Sequence, residues 1–106
     1  MVQAIQAENH LDDQGRPAGG YVKGIGIDIT WQDGPLGRGD DRVGPNGAFV
    51  ETVIVAALQR LQHYNQTEFR CRENSLAITH LEEALHWLQH RTADREERAV
   101  EGTHEQ

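Results

Sequence analysis

The chain has 106 residues with 37% hydrophobic content, which allows one small domain with a thin core. Its 17 acidic and 10 basic residues give a net charge of −7, which argues against a diffuse surface for long nucleic acid but allows a local site for a small anion. The single cysteine, Cys71, has no partner for an internal disulfide, and no apolar stretch resembles a membrane span or an export signal. We therefore expect a reducing cytosol.

The first 32 residues are predicted to form a β-hairpin or a small antiparallel sheet. Residues 2–10 form the first strand, the turn-rich segment 12–17 follows, and residues 20–32 return. Apolar side chains alternate with glycine or polar residues along this return strand: Ile25, Ile27, Ile29 and Trp31. A hairpin is marginal in water by itself, so its apolar face needs a cover. Residues 33–46 are rich in glycine and proline, lack periodicity and are predicted to form a long loop.

Two helices are predicted after this loop. The first runs from about Gly47 to Tyr64, with Asn46 as its N-cap. Its apolar face consists of Val50, Val53, Ile54, Ala57, Leu58 and Leu61. A connection at 65–69 leads to a second helix with an apolar face of Ala77, Ile78, Leu81, Ala84, Leu85 and Leu88. This helix continues through the charged segment 91–101 until Gly102 stops it, which leaves 102–106 as a tail and gives one α+β domain ending in an antiparallel helical hairpin.

Both helices also carry apolar or aromatic side chains outside their main faces. These are Phe49, Val55 and Ala56 around the first helix and Leu76, His80 and Trp87 on the second. A chain this small has little material to cover them, so we expect association with other copies. The alternative is that the strands cover them within one protomer.

Polar residues continue each apolar face by one helical turn and are candidates for ligand binding. Tyr64 follows Leu61 by three positions, and Asn74 and Arg91 stand at the two ends of the second face. A stacking ring, an amide and a guanidinium are what a nucleotide pocket needs. The alternative is that Tyr64 and Asn74 close the ends of the hairpin while Arg91 lies in water.

Catalytic and metal chemistry find little support in the sequence. His86 and His90 have an i,i+4 spacing, but two ligands on one exposed helix face make an incomplete metal site, and no H-E-x-x-H pattern is present. The glycine-rich loop lacks the pattern of a phosphate-binding loop. No Ser-His-Asp set or carboxylate pair stands out, so the sequence predicts neither an enzyme nor a bound cofactor.

Four segments carry a family resemblance: W-Q-D-G-P-L-G from Trp31, P-N-G-A-F-V-E-T-V-I from Pro45, C-R-E-N-S-L-A-I-T-H-L-E-E-A-L-H-W-L from Cys71 and V-E-G-T-H from Val100. Through them, residues 20–104 resemble the hairpin family of phage proteins that sequester cyclic nucleotide immune signals. The resemblance is strongest to the Thoeris anti-defence sponges and more distant to the anti-CBASS sponges.

The resemblance implies a small β element followed by an antiparallel helix pair, assembled as dimers or hexamers. Such proteins bind glycocyclic ADP-ribose and, in hexamers, the cyclic di- and trinucleotides of CBASS in separate pockets, without cleaving them. The chain would then act in the cytoplasm of the infected bacterium, with no polymeric nucleic acid, membrane or cofactor as partner.

Carried over by motif, the resemblance also implies binding residues. Tyr64 stacks on adenine, and Asn74 and Ile78 contact the ligand. A loop closes over it, formed by Trp31, Gln32, Asp33, Gly34, Pro35 and Leu36. Arg38 and Arg91 are predicted to bind phosphate in the second pocket.

Two other classes of function stay open at this point. The chain could be a non-catalytic phage structural or regulatory oligomer whose apolar faces bind a host protein. An enzyme that degrades the signal is disfavoured, because it would need a general acid, a general base or a metal that the sequence does not clearly provide.

Overall fold

The computed structural model of the chain describes residues 1–37, 40 and 43–104, with side chains described as far as Asp94. The chain divides into two compact units, Met1–Val50 and Glu51–Gln106. The elements in chain order are β1 (Ile5–Leu11), β2 (Pro17–Gly24), β3 (Ile27–Thr30), α1 (Val50–Asn65) and α2 (Arg72–His104). The predicted α+β class, with a small antiparallel sheet followed by two helices, is confirmed.

The first unit contains an antiparallel sheet with the strand order β1-β2-β3. In the register of β1 and β2, Glu8 lies opposite Tyr21. The turn between these strands is closed by the Asp12 carboxylate, which accepts the N–H groups of Gln14 and Arg16 at 2.8 and 2.9 Å. This is the aspartate turn chemistry that the sequence predicts for residues 12–17.

The predicted single return strand over residues 20–32 is wrong, because a two-residue turn divides it. Gly24 pairs with Ile27 across this turn, and Ile25 and Gly26 form its tip. Gly26 has a φ of +76°, a conformation that few residues other than glycine adopt, and Ile25 is 82% exposed. The alternation of apolar residues continues through the turn, so periodicity missed it, although the sequence Gly24-Ile-Gly26 carries a turn signal.

The N-cap predicted at Asn46 is also wrong. Helix α1 begins at Val50, and residues 47–49 instead run beside the end of the sheet, where Ala48 forms a parallel bridge with Trp31. The backbones approach closely at this point: a Cβ on Gly47 would lie 2.5 Å from the carbonyl carbon and oxygen of Trp31. Position 47 therefore requires glycine because its backbone lies so close to that of Trp31, and not because a helix begins there.

The second unit is a helical hairpin whose two apolar faces are partly buried. Leu58 is buried, with 6% of its surface exposed, and Val53, Ile54 and Leu61 are half-buried beside it. The whole predicted face of α2 is half-buried: Ala77, Ile78, Leu81, Ala84, Leu85 and Leu88. The predicted α1 face is confirmed except at two exposed positions, Val50 and Ala57.

An ion pair between the two helices establishes their relative direction. Arg91 Nη2 lies 3.7 Å from Glu51 Oε1, which joins the first turn of α1 to a part of α2 nineteen residues beyond its start. The helices are therefore antiparallel, as predicted. Helix α2 continues to His104, three residues past the predicted helix end at Glu101, so the predicted tail over 102–104 is wrong, and residues 105–106 lie outside the described residues.

Five side chains outside the main helix faces are exposed in the single chain, and Phe49 is half-buried. The exposed ones are Val55, Ala56, Leu76, His80 and Trp87, of which Trp87 has 62% of its surface exposed. No helix in the described part of the chain is both long and apolar enough to span a bilayer.

Candidate functional site

The predicted ligand loop starts and ends at one place, on the bridge between Trp31 and Ala48. The N–H of Gln32 donates to the carbonyl of Ala48 at 2.9 Å, and the N–H of Ala48 donates to the carbonyl of Thr30 at 2.7 Å. Trp31 also donates its N–H to the carbonyl of Gly20 on β2 at 3.0 Å. The two ends of the loop are thus attached to the sheet by backbone hydrogen bonds.

Two side-chain amides close this loop from within. Gln32 Oε1 accepts the N–H groups of Asn46 and Gly47 at 2.9 and 3.3 Å, and its Nε2 donates to the carbonyl of Gly34 at 3.1 Å. Asn46 Oδ1 accepts the N–H of Asp33 at 2.8 Å, and its Nδ2 donates to the carbonyl of Asp33 at 2.9 Å. We call this set of contacts the amide clasp.

The clasp separates the predicted loop residues into two groups. Gln32 uses its whole carboxamide to close the loop, so its first role is to position the chain. Asp33, Gly34 and Pro35 are exposed, and Leu36 is half-buried with its carbonyl accepting the N–H of Val43 at 2.7 Å. Trp31 is half-buried. Arg38, the predicted phosphate ligand next to this loop, lies outside the described residues.

A cleft beside the clasp brings in residues that the sequence did not single out. It has a volume of about 370 Å³ and lies wholly within the first unit. It is lined by His10, Ala18, Gly19, Gly20, Tyr21, Lys23, Thr30, Trp31, Asp33 and Asn46. His10, Tyr21 and Lys23 were missed because they meet through the pairing of β1 with β2, which depends on register.

The Glu8 carboxylate fixes two of these side chains. Tyr21 donates its hydroxyl to Glu8 Oε2 at 2.9 Å, and His10 Nε2 lies 3.2 Å from Glu8 Oε1. The hydrogen bond to Glu8 raises the pKa of Tyr21 above its ordinary value, with smaller contributions from desolvation and from the negative charge. The Tyr21 ring therefore stays a neutral phenol across the physiological pH range.

In the helical unit, Tyr64 is paired with a residue that the sequence analysis missed. Arg60 Nε donates to Tyr64 Oη at 3.1 Å, and its guanidinium carbon lies 5.0 Å from the centroid of the Tyr64 ring. Both side chains are exposed. The i,i+4 spacing of an Arg and a Tyr was the available signal. The pair offers an aromatic face and a cation at one point of the surface.

Asn74 takes part in the turn between the helices. Its Nδ2 donates to the carbonyl of Phe69 at 3.4 Å, and its N–H donates to the Cys71 thiol, also at 3.4 Å. Asn65 donates through Nδ2 to Ser75 Oγ at 3.0 Å. These contacts agree with the alternative in which Asn74 closes the hairpin, and they occupy only one of its two amide hydrogens and none of its oxygen. Ile78 is half-buried one turn further along α2.

The remaining candidates lie along α2. Arg91, about half exposed, pairs with Glu51 through the 3.7 Å contact. His86 and His90 place their rings edge-on to Trp87, with centroids 5.8 and 6.1 Å from its ring. Among the residues that the structure describes, no three His, Cys, Asp or Glu side chains come together to hold a metal ion.

Comparison with known proteins gives two matches. The Acb2/Tad1 hairpin domain matches residues 23–93. Thoeris anti-defense 1 of Bacillus phage SBSphiJ7 is 57% identical over 77 residues, which make up 73% of this chain and 51% of that relative. The chain thus spans about half the length of the curated relative it matches. Both matches confirm the family resemblance that the motifs indicated.

The amide clasp generates a stability prediction. We expect Gln32→Ala and Asn46→Ala each to lower the free energy of unfolding by about 1–3 kcal/mol, because each leaves backbone N–H groups without their partner. Hydrogen exchange should become faster at the N–H groups of Asn46 and Gly47 in the first variant and of Asp33 in the second.

Gln14→Ala is the matched control, since the Gln14 side chain makes no hydrogen bond within the described residues. If chemical denaturation and hydrogen exchange leave all three variants alike, the clasp does not hold the loop.

Proposed function

Because the chain belongs to the family of the Acb2/Tad1 hairpin domain, we propose that it is a phage anti-defence protein that sequesters cyclic nucleotide immune signals without cleaving them. The identity to Thoeris anti-defense 1 supports an anti-defence role, and glycocyclic ADP-ribose is the ligand that we expect from the family resemblance of the motifs. The cyclic di- and trinucleotides of CBASS are the expected ligands of a second pocket. The chain would work in the cytoplasm of the infected host.

In the helical unit, we assign the adenine of the ligand to the Tyr64 ring. The ring is exposed, and its contact with Arg60 keeps a cation within reach of a phosphate on the same ligand. Base–aromatic stacking contributes about 1–3 kcal/mol per base. Within the described residues, the Asn74 amide oxygen and one of its amide hydrogens make no hydrogen bond, so they are available to polar groups of the ligand, and Ile78 supplies apolar contact beside them.

In the first unit, we assign Trp31 and the exposed loop residues Asp33, Gly34, Pro35 and Leu36 to ligand contact. The amide clasp supports this assignment, because a loop whose ends are fixed loses less conformational entropy on binding. Gln32 acts in the same process as a positioning residue.

Arg91 and Arg38 are the proposed phosphate ligands of the second pocket. The pair that Arg91 makes with Glu51 does not prevent this role. An ion pair between partly exposed side chains stabilises a protein by about 0–1 kcal/mol, whereas a charge-assisted hydrogen bond to phosphate contributes about 1.5–3 kcal/mol. A phosphate therefore displaces Glu51 at a net gain.

The protein is further proposed to assemble as a dimer or a hexamer. The support is the exposure of Val55, Leu76 and Trp87, which lie outside the half-buried main faces of α1 and α2. Soluble monomers rarely leave contiguous apolar patches uncovered. Association of copies through these three side chains would remove them from water.

A sponge acts by stoichiometry, so its affinity must lie well below the signal concentration that activates the defence. We expect a Kd in the nanomolar range for glycocyclic ADP-ribose, about −12 kcal/mol. Complex freed of excess ligand and then denatured by heat should return the intact molecule in chromatography. A cleaved product would show that the protein is an enzyme. Ligand that stays free throughout would favour the alternative of a non-catalytic oligomer that binds a host protein.

Two variants at Tyr64 test the stacking assignment in calorimetry. Tyr64→Ala should weaken binding by about 1–3 kcal/mol through loss of one stacking contact. Tyr64→Phe keeps the ring, breaks only the hydrogen bond from Arg60, and should retain most of the affinity. Phe69→Ala removes an exposed ring elsewhere and serves as control. Equal affinity for all three would remove Tyr64 from the site.

Arg91 is tested together with its carboxylate partner. Arg91→Ala should weaken the binding of cyclic oligonucleotides by about 1.5–3 kcal/mol, and Arg91→Lys should restore part of the loss, since an ammonium cannot make the two-pronged contact. Glu51→Gln releases the guanidinium and should preserve or increase affinity. Unchanged affinities in every variant would leave Arg91 as a structural charge.

Light scattering at micromolar concentration tests the assembly, and a mass of at least two chains is expected. Trp87→Glu should dissociate the assembly, because it places a charge in the proposed interface that includes Val55 and Leu76. Phe69→Glu introduces the same charge at a similarly exposed aromatic residue outside the proposed interface and should leave the mass unchanged. A monomeric wild-type protein would refute association.

A further inference from the structure

The cleft of the first unit is lined partly by Trp31 and Asp33, which the proposed function assigns to ligand contact, and partly by strand residues that have no role so far. Three of its lining residues, His10, Tyr21 and Lys23, come from β1 and β2. His10 and Tyr21 precede the segment that matches the family domain, and Lys23 is its first residue. The volume of about 370 Å³ lies near the lower end of the range for small-ligand pockets, roughly 300–1,000 Å³.

Lys23, the one lysine of the chain, lines this cleft and forms no ion pair with a carboxylate among the residues that the structure describes. Its Nζ lies 5.0 Å from the centroid of the Tyr21 ring. Asp28 is directly opposite in the register of β2 and β3, yet the two side chains form no ion pair among the described residues. The ammonium rests on a neutral ring and is available to an anion.

The nearest acid on the neighbouring strand is occupied elsewhere. Glu8 receives the Tyr21 hydroxyl on one oxygen and contacts His10 Nε2 with the other. These contacts hold the Tyr21 ring in place and engage both oxygens of the Glu8 carboxylate. Glu8 thus acts as a positioning residue for the aromatic surface.

The opposite part of the cleft presents a hydrogen-bond acceptor. The Asp33 side chain packs against Gly19, where an added Cβ would lie 3.2 Å from Asp33 Cβ. Its carboxylate makes no hydrogen bond within the described residues. Gly19 and Lys23 are four residues apart on one strand, a separation of about 13 Å with Tyr21 midway between them. The cleft therefore has an acceptor at one end, a ring in the middle and a cation at the other end.

We propose that this cleft binds one nucleotide of a sequestered cyclic di- or trinucleotide, with the base on the Tyr21 ring, the base amine toward Asp33 and a phosphate on Lys23. The arrangement matches a nucleotide because the amine of a base donates hydrogen bonds, its ring stacks, and its phosphate is anionic. It rests on the proposed function and adds the β1–β2 hairpin to the residues that select the ligand. The Lys23 ammonium moves from the Tyr21 ring to the phosphate on binding.

The single lysine allows a direct test by NMR. Reductive ¹³C-methylation labels Lys23 and the terminal amine, and Lys23→Arg identifies which resonance belongs to Lys23. We expect the Lys23 methyl resonance to shift on addition of an adenine-containing cyclic dinucleotide and of AMP, and to shift much less with adenosine. Methylation keeps the positive charge, so the labelled protein retains the proposed contact.

Calorimetry on matched variants measures the size of the effect. Lys23→Met should raise the Kd for this cyclic dinucleotide about tenfold, the usual result of losing one charge-assisted contact at an exposed site. Lys23→Arg should retain most of the affinity. Asp33→Asn should weaken the binding of AMP and leave that of ribose 5-phosphate unchanged. Arg16→Met removes the same charge from the exposed β1–β2 turn, outside the cleft, and should have no effect.

The outcomes separate this assignment from the function on which it rests. If the wild-type protein binds the cyclic dinucleotide, but the Lys23 resonance does not move and Lys23→Met behaves like Arg16→Met, the cleft is not the nucleotide site and the sponge function stands. If ribose 5-phosphate and AMP bind equally and Asp33→Asn changes neither, the base assignment fails. If no signal nucleotide binds the wild-type protein, both proposals fall.

Discussion

Only Leu58, among the hydrophobic side chains that the structure describes, is buried, so apolar burial within one chain contributes little to holding it together. The two helix faces that meet in the second unit are half-buried, and no strand carries a continuous buried row. The backbone geometry must then be fixed by directional contacts, namely hydrogen bonds and ion pairs, at particular points. Those points coincide with the turns and loop ends where the candidate binding residues lie.

Four carboxamide side chains provide most of these directional contacts. Gln32 and Asn46 close the loop of the first unit, and Asn65 and Asn74 close the turn between the helices. An amide carries both a donor and an acceptor, so one side chain can satisfy backbone groups on two segments at once. This sorts the polar residues near the candidate sites by role. Those with saturated hydrogen bonds hold the backbone, and those with unused donors, acceptors or ring faces are left for a ligand.

The helix faces were predictable from the sequence because their burial repeats with the period of the helix. The spacing of Ile78, Leu81 and Leu85 reports one face directly. The turn at Ile25 was missed because an alternating pattern looks the same on both sides of a two-residue reversal. Asn46 was assigned to the wrong structure for a related reason: an asparagine before a helical pattern predicts an N-cap, and only the structure places Gln32 opposite it.

The candidate sites were harder to predict than the fold. Tyr64, Asn74 and Arg91 followed from the helical period, whereas Arg60 required attention to an i,i+4 pair of unlike residues. His10, Tyr21 and Lys23 are brought together by strand register, and a shift of one residue would place them on opposite faces. A sequence without turn assignments does not determine that register. Such a cluster therefore becomes visible only once the strands are paired.

The net charge of −7 constrains how this protein can bind an anion. The overall negative field of the protein opposes the approach of an anion, and at physiological salt that field is screened beyond about 8 Å, so affinity must come from short-range contacts.

Lys23 and Arg60 lie against tyrosine rings, and Arg91 pairs with a carboxylate at 3.7 Å. Each of these partners binds its cation by about 1 kcal/mol or less, and a phosphate oxygen binds it by about 1.5–3 kcal/mol. The cations are thus held in place before binding and released at little cost when a phosphate arrives. An acidic surface with a few such loosely partnered cations favours ligands whose phosphates fit those positions over polyanions that only supply charge.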